Sequence, residues 1–198
     1  MESKKQKNYE SELPENYKAV FVVDATTKKF NILMNLAALV LMLVLIIPAF
    51  LIIQPFKGLT EISPFSIIVF VVAMLAYIVL HELVHGAAYK LTTGHKLSFG
   101  ITATVAYCGV PDIYIYRKAS LIALLAPFAV FSIFFALTTV LISAPVEKFL
   151  SAVLFAIHFS GCIGDLYDTV LYLTKFKDPK TLMRDTGPKQ TFYLPQYY

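Results

Sequence analysis

The amino-acid sequence predicts an all-α transmembrane bundle of four helices, with a small β-hairpin on the cytoplasmic side between the second and third helices. Three observations carry this. Of the 198 residues, 58% are hydrophobic and only 15% charged, and the mean hydropathy is +0.68, whereas soluble domains are about 45–50% apolar. Four apolar runs are each long enough to cross a hydrocarbon core of ~30 Å at ~1.5 Å per residue. Lysine and arginine are sorted between alternate connections, which assigns each connection a side of the membrane.

Residues 1–29 form a polar, lysine-rich segment with Lys4, Lys5, Lys7, Lys18, Lys28 and Lys29. Within it Ala19-Val20-Phe21-Val22-Val23 is apolar enough for a strand or for a stretch lying on the membrane surface; a solvated tail is the equal alternative. The membrane domain spans residues 30–174. Its first span covers about 32–53, interrupted only by Asn35 and Pro48, and the loop after it holds Pro55, Lys57, Gly58 and Pro64. The second span covers about 65–91.

From Leu97 to Tyr107 the odd positions are Leu, Phe, Ile, Ala, Val and Tyr, and the even ones Ser, Gly, Thr, Thr and Ala. Such alternation is a strand signal. Gly109-Val110-Pro111-Asp112 reads as a turn and Ile113–Tyr116 as a returning strand, giving a hairpin over about 97–116. It belongs at the interface or against protein, because unpaired strand edges are costly in lipid. The third span covers about 119–142, kinked at Pro127, and the fourth about 146–173. Residues 175–198 read as a C-terminal tail or short subdomain. The loops after the first and third spans carry only Lys57 and Lys148; the remaining Lys and Arg lie in the two termini and between Lys90 and Lys118. This places both termini and the hairpin on the cytoplasmic side of the membrane. No leader peptide is expected, since the first apolar run is too long for one.

A net charge of +4, dispersed along the chain, argues against nucleic acid as a partner. The two cysteines, Cys108 and Cys162, make neither a disulfide framework nor a CxxC zinc site. Cys162 reads as a small buried hydrophobe. The chemistry concentrates in the second span, at His81-Glu82-Leu83-Val84-His85. On a helix, His81 and His85 project from one face one turn apart, a spacing at which two imidazoles share a Zn²⁺. Glu82 beside them is the group to take the proton of an attacking water. Ionisable residues inside a span are functional by default.

A catalytic zinc takes three protein ligands. Counting back from Lys90 and Lys175, both Asp165 and Asp168 of the fourth span lie at depths compatible with the histidines. Gly161 and Gly164 favour Asp165, since small residues let helices approach. His158 lies on the same polar stripe. It is a candidate for substrate positioning, oxyanion stabilisation or alternative ligation; a histidine hydrogen-bonded within the bundle is the competing reading.

LPENYK before the first span, HELVHG, LLAPF in the third span, GDLYD in the fourth and Asp185-Thr186-Gly187 near the end together resemble the bacterial zincin peptidase family of four-pass membrane proteins. More distantly the chain resembles the site-2 intramembrane metalloproteases, although it has no LDG motif and no PDZ insertion. The resemblance implies His81, His85 and Asp165 as metal ligands and Glu82 as general base. It also implies a zinc-dependent intramembrane or membrane-proximal endopeptidase acting on membrane proteins or peptides. The competing functions are a non-proteolytic scaffold or inactive relative, and a metal transporter. A scaffold has no use for Glu82 beside the ligands, and a transporter needs polar residues on several spans, where the first and third have almost none.

Overall fold

A computed structural model describes residues 7–57, 62–102 and 105–196. Lys4, Lys5, Gly58, Ala103 and Thr104 of the segments read above lie outside the described residues. In chain order the elements are β1 (Tyr9–Glu10), β2 (Tyr17–Asp24), α1 (Lys28–Ile53), α2 (Pro64–Thr93), β3 (Ser98–Ile101), β4 (Ala106–Gly109) and β5 (Tyr114–Tyr116). These are followed by α3 (Arg117–Leu141), α4 (Pro145–Gly161), α5 (Ile163–Thr174), β6 (Leu182–Asp185) and β7 (Lys189–Pro195). They build two compact units. One comprises Met1–Asn31, Glu82–Ala126 and Asp165–Tyr198; the other comprises Ile32–His81 and Pro127–Gly164.

The second, helical unit turns apolar surface outward. α1 has no buried residue, Ile52 is 80% and Leu141 75% exposed, while Ser151 and His158 are buried. Polar groups inside and aliphatic groups outside suit a lipid solvent, and in water such a surface would aggregate. The interior polar groups are paired. Ser66 Oγ donates to Glu147 Oε1 at 2.9 Å, and Thr138 and Thr139 hydroxyls lie 2.9 and 3.0 Å from Ser151 Oγ. Three helices, α1, α2 and α3, are long and apolar enough to cross a membrane. The pair α4 and α5 makes a fourth if its 45° bend lies within one span. That bend falls at Cys162 (φ −75°, ψ 5°), between Gly161 and Gly164, where helix propensity is lowest.

The first unit is built on a sheet. Its five strands run β1-β5-β6-β7-β2, every neighbouring pair antiparallel. β2 and β7 pair from Tyr17↔Pro195 to Asp24↔Lys189 with an irregularity between Ala19 and Phe21. One core gathers Val23, Leu124, Tyr172, Phe176, Met183 and Phe192; another gathers Tyr89, Cys108, Val110, Ile113, Ile115 and Ala123. Each fully buried Ile, Met or Phe contributes on the order of 1.5–3 kcal/mol.

The fold is therefore not an all-α bundle of four helices with one hairpin: the described residues form five helices and seven strands in two sheets. The physical reason is non-local pairing. β2 and β7 sit at opposite ends of the chain; residues 19–23 read as a strand only on equal terms with a solvated tail, and nothing local marks residues 189–195 as the partner. The hairpin is corrected as well. β3 and β4 pair with each other, Phe99↔Cys108 and Ile101↔Ala106, so the turn falls inside the alternating run. Odd residues of β3 share a face with even residues of β4, and the odd-position pattern does not belong to one strand. β5, expected as the returning strand, pairs instead with β1 and β6.

Candidate metal centre

α2 is continuous from Pro64 to Thr93 and carries His81, Glu82 and His85 in its C-terminal half. Nothing breaks its register there, so Tyr77, His81, His85 and Tyr89 form a stripe spaced at four residues down one face. His81 belongs to the helical unit, and Glu82, His85 and Tyr89 to the sheet unit.

In the sheet unit His85 is buried. Its Nδ1 lies 2.9 Å from the Ala123 carbonyl oxygen. A carbonyl only accepts, so Nδ1 carries the hydrogen and, in the neutral ring, Nε2 presents its lone pair. That Nε2 lies 3.3 Å from Asp165 Oδ2, in the first turn of α5. Two oxygen or nitrogen ligands at ~2.0–2.1 Å around a tetrahedral zinc stand roughly 3.3 Å apart. The pair is spaced as co-ligands, and the carbonyl bond to the other ring nitrogen is the usual support of a zinc histidine. Glu82, half-buried, lies on the same helix. Asp168 is 3% exposed, and its Oδ1 has no hydrogen-bond partner among the described residues.

The floor of this region comes from the sheet. Gly86 lets β3 and β4 lie against α2: a Cβ there would meet the Phe99 ring at 2.8 Å and Leu97 Cδ1 at 3.1 Å. Asp185, on β6, is buried and accepts from Tyr89 Oη at 2.5 Å, from the Gly187 N–H at 2.8 Å and from Gln190 Nε2 at 3.1 Å. Burial raises its carboxyl above the ordinary range, and those three donors hold the rise down. The thiol of Cys108 is pushed up to about 12, by burial first and then by the Asp185 and Glu82 carboxylates. Gly187, at φ +95°, completes the turn from β6 to β7, and a Cβ there would strike Tyr107.

In the helical unit His81 is buried, with Nδ1 3.1 Å from Tyr77 Oη. The same hydroxyl is 3.1 Å from His158 Nδ1, and His158 Nε2 is 3.1 Å from Ser132 Oγ. The hydroxyls of Tyr77 and Ser132 both donate and accept, so the chain is satisfied with its protons running in either direction. In one direction His81 Nδ1–H donates to Tyr77, Tyr77 O–H to His158 Nδ1 and His158 Nε2–H to Ser132. In that direction His81 carries no proton on Nε2, as a ligand requires. His158 is fully buried among Phe128, Phe131, Phe135 and Phe155, with ring centroids 5.9–6.4 Å away. Cys162 Sγ lies 3.6 Å from His158 Nδ1.

Of the residues expected from the sequence, the sheet unit thus gathers Glu82, His85 and Asp165, and the helical unit gathers His81 and His158. Tyr77, Ser132, Cys162, Tyr89 and Asp185 were not anticipated. The four-residue stripe through His81 and His85 was a usable signal for Tyr77 and Tyr89. Asp185 had none beyond the Asp-Thr-Gly resemblance, because its neighbours reach it through strand pairing.

Comparison with curated proteins and with solved structures gives no match. A family profile does match residues 74–180, more than half of the chain, and takes in the HExxH, β3 to β5, α3, α4 and α5. The family is described as "Putative zincin peptidase", and the protein belongs to it.

Proposed function

We propose that the protein is a zinc-dependent endopeptidase that hydrolyses peptide bonds of membrane-associated substrates within or beside the bilayer. The observation that carries this reading is the spacing of His85 Nε2 and Asp165 Oδ2, 3.3 Å, on a helix bearing HExxH. His81 and His85 from successive turns of α2, with Asp165, are the proposed ligands. Zinc, when bound, supplies a Lewis acid that polarises the scissile carbonyl.

The remaining work belongs to the chain. Glu82 accepts the proton of the attacking water on its carboxylate and hands it to the leaving nitrogen as the C–N bond breaks. Ala123, through its carbonyl, holds His85 in the tautomer with its hydrogen on Nδ1, and Tyr77, through its hydroxyl, orients the ring of His81. His158 acts through Tyr77, which makes it a positioning residue for His81. The hairpin of β3 and β4, seated against Gly86, offers an edge on which an unwound substrate segment adds as a strand. By the positive-inside argument the termini and this hairpin face the cytoplasm, and the family resemblance makes the membrane a bacterial one.

The test is metal analysis and cleavage of a labelled membrane peptide in proteoliposomes. Asp165→Ala should lose its zinc and Asp168→Ala keep it; the reverse would assign the wrong aspartate. Glu82→Gln should keep zinc and lose cleavage, and unimpaired cleavage there would remove it as base. A wild type that binds zinc and cuts no peptide would be a scaffold.

A further inference from the structure

The helical unit holds four potential donors around one point, and the peptidase reading uses only one of them as a ligand. His81, His158 and Cys162 each offer a ligand atom, and these atoms lie within 4.8 Å of one another. Tyr77 Oη stands 3.1 Å from both His81 Nδ1 and His158 Nδ1, and Cys162 Sγ stands 3.6 Å from His158 Nδ1. For a tetrahedral cation with metal–nitrogen distances of ~2.0 Å and metal–sulfur of ~2.3 Å, the edges are roughly 3.3 Å between first-row donors and 3.6 Å to sulfur. The Tyr77–His81 and Tyr77–His158 edges, 3.1 Å each, fall ~0.2 Å short of the first value, and the His158–Cys162 edge, 3.6 Å, equals the second.

We propose that Tyr77, His81, His158 and Cys162 form a second cation site, selective for a thiophilic ion such as Cd²⁺, Cu⁺ or excess Zn²⁺, whose occupation withdraws His81 from the peptidase centre. Thiolate with two imidazoles is a soft-to-borderline donor set. His158 presents Nδ1 to Tyr77 and Cys162, while its Nε2 lies 3.1 Å from Ser132 Oγ and stays out of the cage. On binding, Cys162 releases its thiol proton to the solvent, and Tyr77 exchanges its two hydrogen bonds for the cation as a neutral phenol that keeps its O–H. With Nδ1 on the cation, a neutral His81 carries its one ring proton on Nε2. A neutral imidazole has a single N–H, so His81 cannot then lend Nε2 to the other centre. The cage is therefore inhibitory, a consequence that rests on the peptidase reading; the binding itself does not.

Two measurements separate these parts. The first uses the full chain carrying His85→Ala and Asp165→Ala, in detergent, titrated with Cd²⁺. A thiolate-to-cadmium charge-transfer band saturating at one ion per chain is expected. It should survive Cys108→Ser and disappear with Cys162→Ser or His158→Ala, with circular dichroism confirming that each variant is folded. Absence of the band, or its persistence without Cys162, overturns the site. The second uses the otherwise natural chain. Cd²⁺ should inhibit peptide cleavage, and Cys162→Ser should relieve that inhibition while leaving the rate at stoichiometric zinc unchanged. Inhibition that Cys162→Ser does not relieve overturns the regulatory role. If the natural chain cleaves no peptide, that role falls with the peptidase reading, and the cadmium band still decides the site.

Discussion

The two donor clusters borne by α2 solve the problem of burying polar groups in opposite ways. On the sheet side, His85 faces Asp165, and buried Asp185 accepts from Tyr89, Gly187 and Gln190, while Asp168 Oδ1 has no hydrogen-bond partner among the described residues. On the helical side, His81 enters a chain of hydroxyls and imidazoles walled by phenylalanines. A neutral chain in which every donor meets an acceptor is tolerated in a low dielectric, while an unpaired charge there costs several kcal/mol. Under the proposed peptidase reading this is a division of labour: acid–base chemistry on the carboxylate side, orientation of a ligand on the neutral side.

The largest test of that division is Glu82→Gln. It should lower peptide cleavage by about 10²–10⁴-fold with zinc content unchanged, read by rate and by metal analysis on the same sample. Tyr77→Phe probes the neutral side. It removes only a hydroxyl, and should weaken zinc affinity by roughly 10–100-fold with the helix intact, read by chelator competition. If it altered the rate at saturating zinc and left affinity alone, Tyr77 would be acting on substrate.

Smaller effects belong to the sheet. Gly187→Ala, at φ +95° and against the Tyr107 ring, should cost about 1–3 kcal/mol, measured by thermal unfolding in detergent. Asp185 carries a pH signature. Its folded carboxyl is raised, so its contribution is complete below the ordinary carboxylate value and is lost as pH climbs through the folded one. Unfolding temperature should fall over that window, and Asp185→Asn should flatten the fall. Least of all, Cys108 should resist alkylation at pH 8. A thiol pushed up to about 12 is thiolate in only on the order of 10⁻⁴ of molecules there, and mass spectrometry of the labelled chain reads it directly.

What the sequence determined by itself is local or compositional. Apolar runs of the right length made α1, α2 and α3 legible, because a helix satisfies its own backbone and needs only lipid outside. The face shared by His81 and His85 followed from helical spacing alone. The hairpin was half legible: β3 and β4 exist, yet parity across a turn cannot be read from alternation. Tertiary structure decided the rest. Tyr17–Asp24 became a strand because Lys189–Pro195 came alongside it. Tyr77 met His158, and Cys162 entered the same cage, because two helices distant in sequence packed together. Asp185 reached Tyr89 through a sheet whose strands are drawn from both ends of the chain. Each of these depends on contacts between residues far apart along the chain, and neither hydropathy nor spacing records which distant segments will meet.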